Sequence, residues 1–305
     1  MSELTAFCLQ QGIAICENEP MSKRTTFKAG GNADYFISVS SEKELSEVLK
    51  FCGENEIRTM ILGAGSNVLF KDDGYKGAVI NLKGDFLKTE LSGVKITAGA
   101  GLMLNKLAVL ARDNSLEGLE FSYGIPGTVG GAVYMNAGAY GGEVKDVLLS
   151  VRAMDIAGNI KEYSAETALL SYRSSVFQKT DEVILSAEFL LKKGNREEIK
   201  ARMDELYGRR KAKQPLEYPS AGSTFKRPEG YFAAALIEEC GLKGESVGGA
   251  EVSRKHSGFI INKNGATASD IEKLIEKVKE TVREKKGVKL ECEVKIIGGV
   301  DKCNV

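Results

Sequence analysis

Three side chains and two glycine-rich loops in this 305-residue chain have the right types to do chemistry. Arg173 stands in SYRSS, Ser223 in AGSTFKRP beside Lys226 and Arg227, and Glu293 in LECEVKIIG. A guanidinium is a permanent cation and can steady developing negative charge. A serine with cations nearby and no histidine partner is a poor nucleophile, which leaves it phosphate binding or proton donation. Each also has a plain reading. Arg173 fits a structural ion pair and Ser223 a capping serine. Glu293 fits a solvated strand face, because Leu290, Cys292, Val294 and Ile296 alternate with Glu291, Glu293 and Lys295.

The loops offer backbone. GAGSN (Gly63, Ala64, Gly65, Ser66, Asn67) follows an apolar strand but does not open a helix, since Val68-Leu69-Phe70 and then a DDG turn follow. That excludes the G-x-G-x-x-G dinucleotide fingerprint. What remains is either an ordinary hairpin or a nest of N–H groups for a pyrophosphate. The second stretch, GLEFSYGIPGTVGGAVYMNAGAYGG at 118–142, holds eight glycines and no charge except Glu120. Its interleaved apolar residues describe a buried segment, where a flexible linker would carry polar residues instead. It reads as a backbone surface for a flat ligand or as a tight turn between core elements.

Acidic and basic residues balance at 42 each, so charge gives no reason to propose nucleic acid or an anionic membrane. No apolar run approaches the roughly 20 residues of a membrane span, and the first residues lack a signal-peptide pattern. The six cysteines (Cys8, Cys16, Cys52, Cys240, Cys292, Cys303) have no CxxC spacing and fit free thiols in a reducing cytosol. With His256 the lone histidine, no metal site is expected. These observations predict a cytoplasmic globular protein.

The chain must be folded so that these residues meet. Its length predicts two lobes. Residues 1–20 read as a weak helix and a turn at Pro20, and ADYFISVS as a strand. A Ser41/Glu44 capping box opens a helix closed by Gly53. Strands are predicted at IRTMIL, VLF, AVINL and VKITAG, then a helix over 103–112. VLLSVRAMDIAGNIKEYS reads as a hairpin and DEVILSAEFLLKK as a strand. Asn195 caps a helix with Ile199, Met203 and Leu206 on one face, which ends in the basic run RRKAK. Pro215 and Pro219 place a boundary near 195–218. Beyond it come a helix from Phe232 to Glu239 and strand-like GGAEVSRKHSGFIIN. A helix from a Ser269/Glu272 capping box follows, and the strand LECEVKIIG closes the lobe. The fold class is α+β (mixed α/β), with lobes at 1–200 and 201–305 and a last strand that can return toward the first.

Seven blocks in this order resemble the UDP-N-acetylenolpyruvoylglucosamine reductases, flavoenzymes of peptidoglycan precursor synthesis. They are TTFKAGG (25–31), ILGAGSNVL (61–69), GIPGTVGGAVYMNAGAYGGE (124–143), SYRSSVF (171–177), PSAGSTFKRP (219–228), GGAEVSRKHSGFIIN (248–262) and LECEVKIIG (290–298). The resemblance implies an FAD-binding lobe of the vanillyl-alcohol-oxidase type followed by a substrate lobe. It implies non-covalent FAD at Gly63, Ala64, Gly65, Ser66 and Asn67 for the pyrophosphate. Along the flavin it implies Gly124, Ile125, Pro126, Gly127, Thr128, Gly130, Gly131, Ala132, Asn136, Ala137 and Gly138. NADPH would reduce the FAD, and the enolpyruvyl ether of UDP-N-acetylglucosamine would then take hydride at C3. Arg173 and Glu293 would stabilise the resulting enolate, and Ser223 would protonate C2. Lys213, Lys226 and Arg227 would lie toward the nucleotide. The chain has no room for the inserted tyrosine segment of the longer subtype, so it resembles the shorter one.

Two other readings compete. One is an oxidase of an alcohol or hydroxy acid on the same flavin lobe, for which His256 is the lone histidyl attachment point. The other is a catalytically silent sugar-nucleotide-binding protein, which would be colourless. The expected partners are small molecules, and the expected state is a monomer or weak oligomer. Gly127→Val should give colourless protein, because a branched side chain would block the flavin and resist a positive φ.

Overall fold

A computed structural model describes residues 1–299, so Cys303 lies outside the described residues. Helix α1 (Glu3–Gln10) leads into β1 (Ala14–Pro20), where the sequence had suggested only a turn. β1 is polar (ENE) yet pairs antiparallel with β2 (Asn32–Val39), with Ala14 opposite Ser38. Its ladder comes from the neighbouring strand rather than from its own propensity. In α2 (Glu42–Glu54) the Ser41 hydroxyl accepts from the Glu44 N–H at 3.2 Å, as expected. The Glu44 carboxylate accepts from Ser40 N–H at 2.7 Å, one residue earlier than a capping box requires. Asn55, not Gly53, is the C-cap.

Strand β3 (Thr59–Ile61) precedes GAGSN, and β4 (Val68–Leu82) follows it. The expected DDG turn is absorbed into β4, a single strand of 15 residues. Gly74 makes this possible: its φ is +80°, and a Cβ there would lie 2.0 Å from Asn32 O. Along β4, Ala78 and Ile80 enter one core while Val79 enters another, the two-residue alternation of a strand buried on both faces.

A second, antiparallel sheet is formed by β5 (Thr89–Ser92), β6 (Lys95–Gly99), β7 (Leu148–Met154), β8 (Ile160–Ser164) and β9 (Val183–Leu190) in the order β8-β7-β9-β6-β5. Helices α3 (Leu104–Asp113) and α4 (Val129–Tyr134) pack against its core through Leu104, Leu107, Val129 and Val133. α5 (Arg196–Lys213) starts at Asn195, whose side chain accepts from Glu197 and Glu198 N–H.

A separate core contains α6 (Ala233–Glu239), β10 (Ala250–Val252), β11 (Ile260–Asn262) and α7 (Ala268–Lys286). Thr267 and Asp270 form the capping box of α7, in place of the predicted Ser269/Glu272. Thr267 is the last extended residue (ψ 165°), whereas Ser269 already lies in the first turn, and its N–H bonds Asp72 at 2.8 Å. Phe27 and Leu69 from the first half of the chain join this second core. The predicted closing strand splits. Residues 290–294 make only a Phe225–Cys292 bridge, and β12 (Lys295–Gly299) leaves the second lobe to pair in parallel with Val68–Phe70 of β4. Among the described residues no helix is long and apolar enough to cross a membrane.

Candidate active site

The GAGSN loop is shaped by contacts with its own chain. Gly65 has φ +62°, and a Cβ there would lie 2.2 Å from Arg24 O. Thr26 N–H donates to Gly65 O at 3.0 Å, and the Thr26 hydroxyl donates to Ser220 O at 2.6 Å, so the loop is tied to the segment that carries Ser223. A Cβ on Gly63 would meet Thr128 Oγ1 at 2.5 Å, and one on Gly130 would meet Ala100 Cβ at 2.9 Å. These glycines let two loops close on each other. Gly127 differs, because the nearest atom to its Cβ position is Ser66 Oγ at 3.9 Å. Gly127 is not among the positive-φ residues, which removes half of the sequence argument and leaves the argument from space.

Both loops wall a cavity of about 320 Å³ that also takes in Arg173, Ser223 and Glu293. Gly63 through Asn67, Ile125 through Thr128, and Gly130, Gly131, Ala132, Ala137 and Gly138 all face it. Small residues, Ile61, Leu82, Ile184 and Phe259 give a largely apolar wall suited to a flat ring system, and the residues present fit FAD. Five predicted contacts are not in this wall. Gly124 packs beside Arg210. Asn136 is fully buried, donating to Glu143 and Ser171 O and accepting from Lys145 N–H, so it fixes the loop. Lys213 is exposed at the end of α5. Lys226 pairs with Glu291 at 3.4 Å. Arg227 stacks on Phe232 at 3.8 Å, and its N–H donates to the Tyr172 hydroxyl at 3.0 Å.

Arg173 has φ +53° in a turn closed by Ser171 and Ser174. Its Nε donates to Glu293 Oε1 at 2.6 Å, and Nη2 donates to Gly138 O at 3.3 Å. A left-handed arginine is uncommon and is held here by its surroundings. Glu293 is therefore not on a solvated face, as the strand alternation had implied, because residues 290–294 are irregular and turn its side chain inward. Burial pushes its carboxyl above the usual range even though the neighbouring Arg173 pulls the other way. Asn67 anchors the backbone here: its side-chain amide donates to Glu293 O at 3.2 Å. Ser223 is exposed to the cavity, next to Gly222 at φ +77°, and no protein group among the described residues bonds its hydroxyl.

The sequence reading missed Arg210 and Gln214, which also face the cavity. Arg210 is only 9% exposed. Among the described residues its guanidinium has no ion-pair partner, and burial pushes its pKa below the usual arginine value. One turn on, Gln214 Oε1 is buried without a hydrogen-bond donor. No group of three or more His, Cys, Asp or Glu that could hold a metal occurs among the described residues.

Comparison with known proteins agrees with this layout. Residues 33–164 match the FAD binding domain family, and residues 214–297 match the C-terminal domain of UDP-N-acetylenolpyruvoylglucosamine reductase. The chain is 53% identical over 284 residues to the reductase of that name from Clostridium novyi, covering 93% of this chain and 92% of that one. It is 50% identical over 285 residues to that of Lachnoclostridium phytofermentans, covering 92% of both. The crystal structure of UDP-N-acetylenolpyruvylglucosamine reductase from Thermus caldophilus superposes with a TM-score of 0.81 at 35% identity, over 94% of this chain and 99% of that one.

Proposed function

This chain belongs to the UDP-N-acetylenolpyruvoylglucosamine reductase family, and on that premise we propose that Arg173, Glu293 and Ser223 carry its chemistry. It is an FAD- and NADPH-dependent reductase of peptidoglycan precursor synthesis, converting UDP-N-acetylglucosamine enolpyruvate to UDP-N-acetylmuramate. FAD supplies the hydride relay when bound, with Gly63–Asn67 toward the pyrophosphate and Ile125–Gly138 along the ring. The 2.6 Å pairing of Arg173 with a largely but not fully buried Glu293 inside the cavity carries this reading.

Hydride arriving at C3 of the enolpyruvyl group leaves negative charge at C2 that spreads into the carboxylate as an enolate. Arg173 holds that charge as a fixed cation. Glu293 has a raised proton affinity and donates a hydrogen bond to the same oxygens when protonated. Ser223, whose hydroxyl on the cavity surface has no partner among the described residues, delivers the proton to C2. Its weak acidity suffices against a strongly basic carbon, and water restores its proton. Lys213, Lys226 and Arg227 lie outside the wall and serve the nucleotide end.

The lobes at 1–200 and 201–305 bind cofactor and substrate respectively, with β12 returned to the first. Anaerobic bleaching of the flavin by NADPH, followed by reoxidation on adding the enolpyruvyl substrate, tests the assignment. Failure of that substrate to reoxidise the flavin would refute it.

A further inference from the structure

An arginine that is nine-tenths buried without a counter-charge is costly unless a ligand supplies negative charge. The other charged groups facing the same cavity are engaged. Arg173 and Glu293 hold each other at 2.6 Å, Glu182 is paired with Lys161 at 2.8 Å, and Lys295 Nζ donates to Gln178 at 3.5 Å. Among the described residues of the wall, Arg210 is the charged group left without such a partner.

Its neighbour narrows the ligand. Gln214 faces the same cavity, and its N–H donates to Arg210 O at 2.8 Å, which fixes the two side chains one turn apart. Gln214 presents a buried Oε1 with no donor. Arg210 offers only donors, and Gln214 adds an acceptor. Phosphate oxygens would leave that acceptor unpaired. An imide edge, carbonyl beside N–H, satisfies both. Two molecules bound by this enzyme carry that edge: the isoalloxazine ring of FAD and the uracil of the substrate. Arg210 lies deep, with its Cδ 3.0 Å from the Cβ position of Gly124, inside the glycine-rich stretch. The cations suited to the nucleotide, Lys226 and Arg227, lie outside the wall.

We propose that Arg210 and Gln214 bind the pyrimidine edge of the flavin ring, and that Arg210 offsets the charge which that edge acquires on reduction. The inference rests on the FAD reading above. Hydride from the dihydronicotinamide forms the N5–H bond, releases the oxidised nicotinamide, and leaves one negative charge over N1 and the C2 carbonyl oxygen. A fixed cation at that edge stabilises the reduced ring relative to the oxidised one, as preorganised charge does elsewhere. It therefore sets how readily NADPH loads the enzyme.

The test uses the FAD-loaded protein and measures the midpoint potential of the bound flavin, sulfite addition at N5, and UDP binding. Arg210→Met should lower the two-electron potential by at least ~30 mV, tenfold in the reduction equilibrium. It should weaken the sulfite adduct about as much and leave UDP affinity unchanged. Arg210→Lys should recover part of both. If Arg210→Met does not retain FAD, Arg210→Lys and Gln214→Glu carry the test, and the added carboxylate should lower the potential again. An unchanged potential with weakened UDP binding would assign the pair to uracil and overturn the proposal. So would an unchanged potential with weakened FAD binding but normal binding of lumiflavin, which lacks the pyrophosphate. Wild-type protein that binds no flavin would instead sink the FAD reading itself.

Discussion

Asn67 and Glu293, which are 226 residues apart, are joined by a side-chain amide donating to a main-chain carbonyl at 3.2 Å, and Lys295 N–H returns a bond to Asn67 O at 2.9 Å. The cofactor loop and the carboxyl proposed to face the enolate are thus one mechanical unit. Asn67→Ala should weaken FAD binding and slow flavin reoxidation together, each about fivefold, as expected for a hydrogen bond worth roughly 1 kcal/mol. Fluorescence titration and stopped-flow reoxidation read the two effects. A change in FAD affinity alone would mean that Asn67 serves only the cofactor.

Ser223→Ala removes an oxygen that has no partner among the described residues, so folding and FAD content should be unchanged. NADPH should bleach the flavin at the wild-type rate. Reoxidation by the enolpyruvyl substrate should slow by ~10²–10⁴-fold, the range for a lost positioned acid. Normal reoxidation would remove Ser223 from the mechanism and make Glu293 the leading proton donor.

Burial raises the Glu293 carboxyl above its unfolded value, with Arg173 only partly opposing it. The folded state therefore holds this proton more tightly than the unfolded chain. The stability it contributes is complete below the unfolded value of about 4.3 and declines as pH rises through the folded value. Measured by urea unfolding, the difference between wild type and Glu293→Gln should fall with pH above about 4 and then level off. A difference that stays flat above about 4 and shrinks only as the pH falls below it would mean the carboxyl is lowered, as in an ordinary ion pair.

A Cβ on Gly127 would meet only Ser66 Oγ, at an ordinary contact distance of 3.9 Å, so Gly127→Val should fold with near-normal stability yet purify largely colourless. Its backbone needs no left-handed conformation, so the loss should track side-chain volume, and Gly127→Ala should keep part of the flavin. Equal flavin content in all three proteins would place the ring elsewhere.

How far the site was legible depends on the residue. Arg173 and Ser223 sit in short polar turns whose own residues suggested an ion pair and a cap, and the resemblance of the surrounding blocks is what singled them out. For Glu293 the local pattern pointed to a solvated face, because alternation over 290–296 looks like one strand, whereas the β-ladder starts only at Lys295. Arg210 was hidden in the basic run RRKAK, though the buried stripe Ile199, Met203, Leu206 advances by four, three and then four residues to reach it. A cation on an apolar helix face was the available signal. Polarity hid β1 and the middle of β4, whose pairing depends on neighbouring strands that local pattern does not specify. The α7 cap was misplaced by two residues because Thr267 and Ser269 are equally good capping types, and only the extended backbone at Thr267 separates them.

The return of β12 to β4 bears on how the molecule is made. Val68–Phe70 receive their parallel partner from residues 295–297, so that edge of the first sheet stays open until those residues have left the ribosome. The first lobe therefore cannot complete its sheet as a separate unit during synthesis, however early its other strands pair. A nascent chain of 290 residues exposes an apolar strand edge at Val68, Leu69 and Phe70, which makes it a client for chaperones and a seed for aggregation.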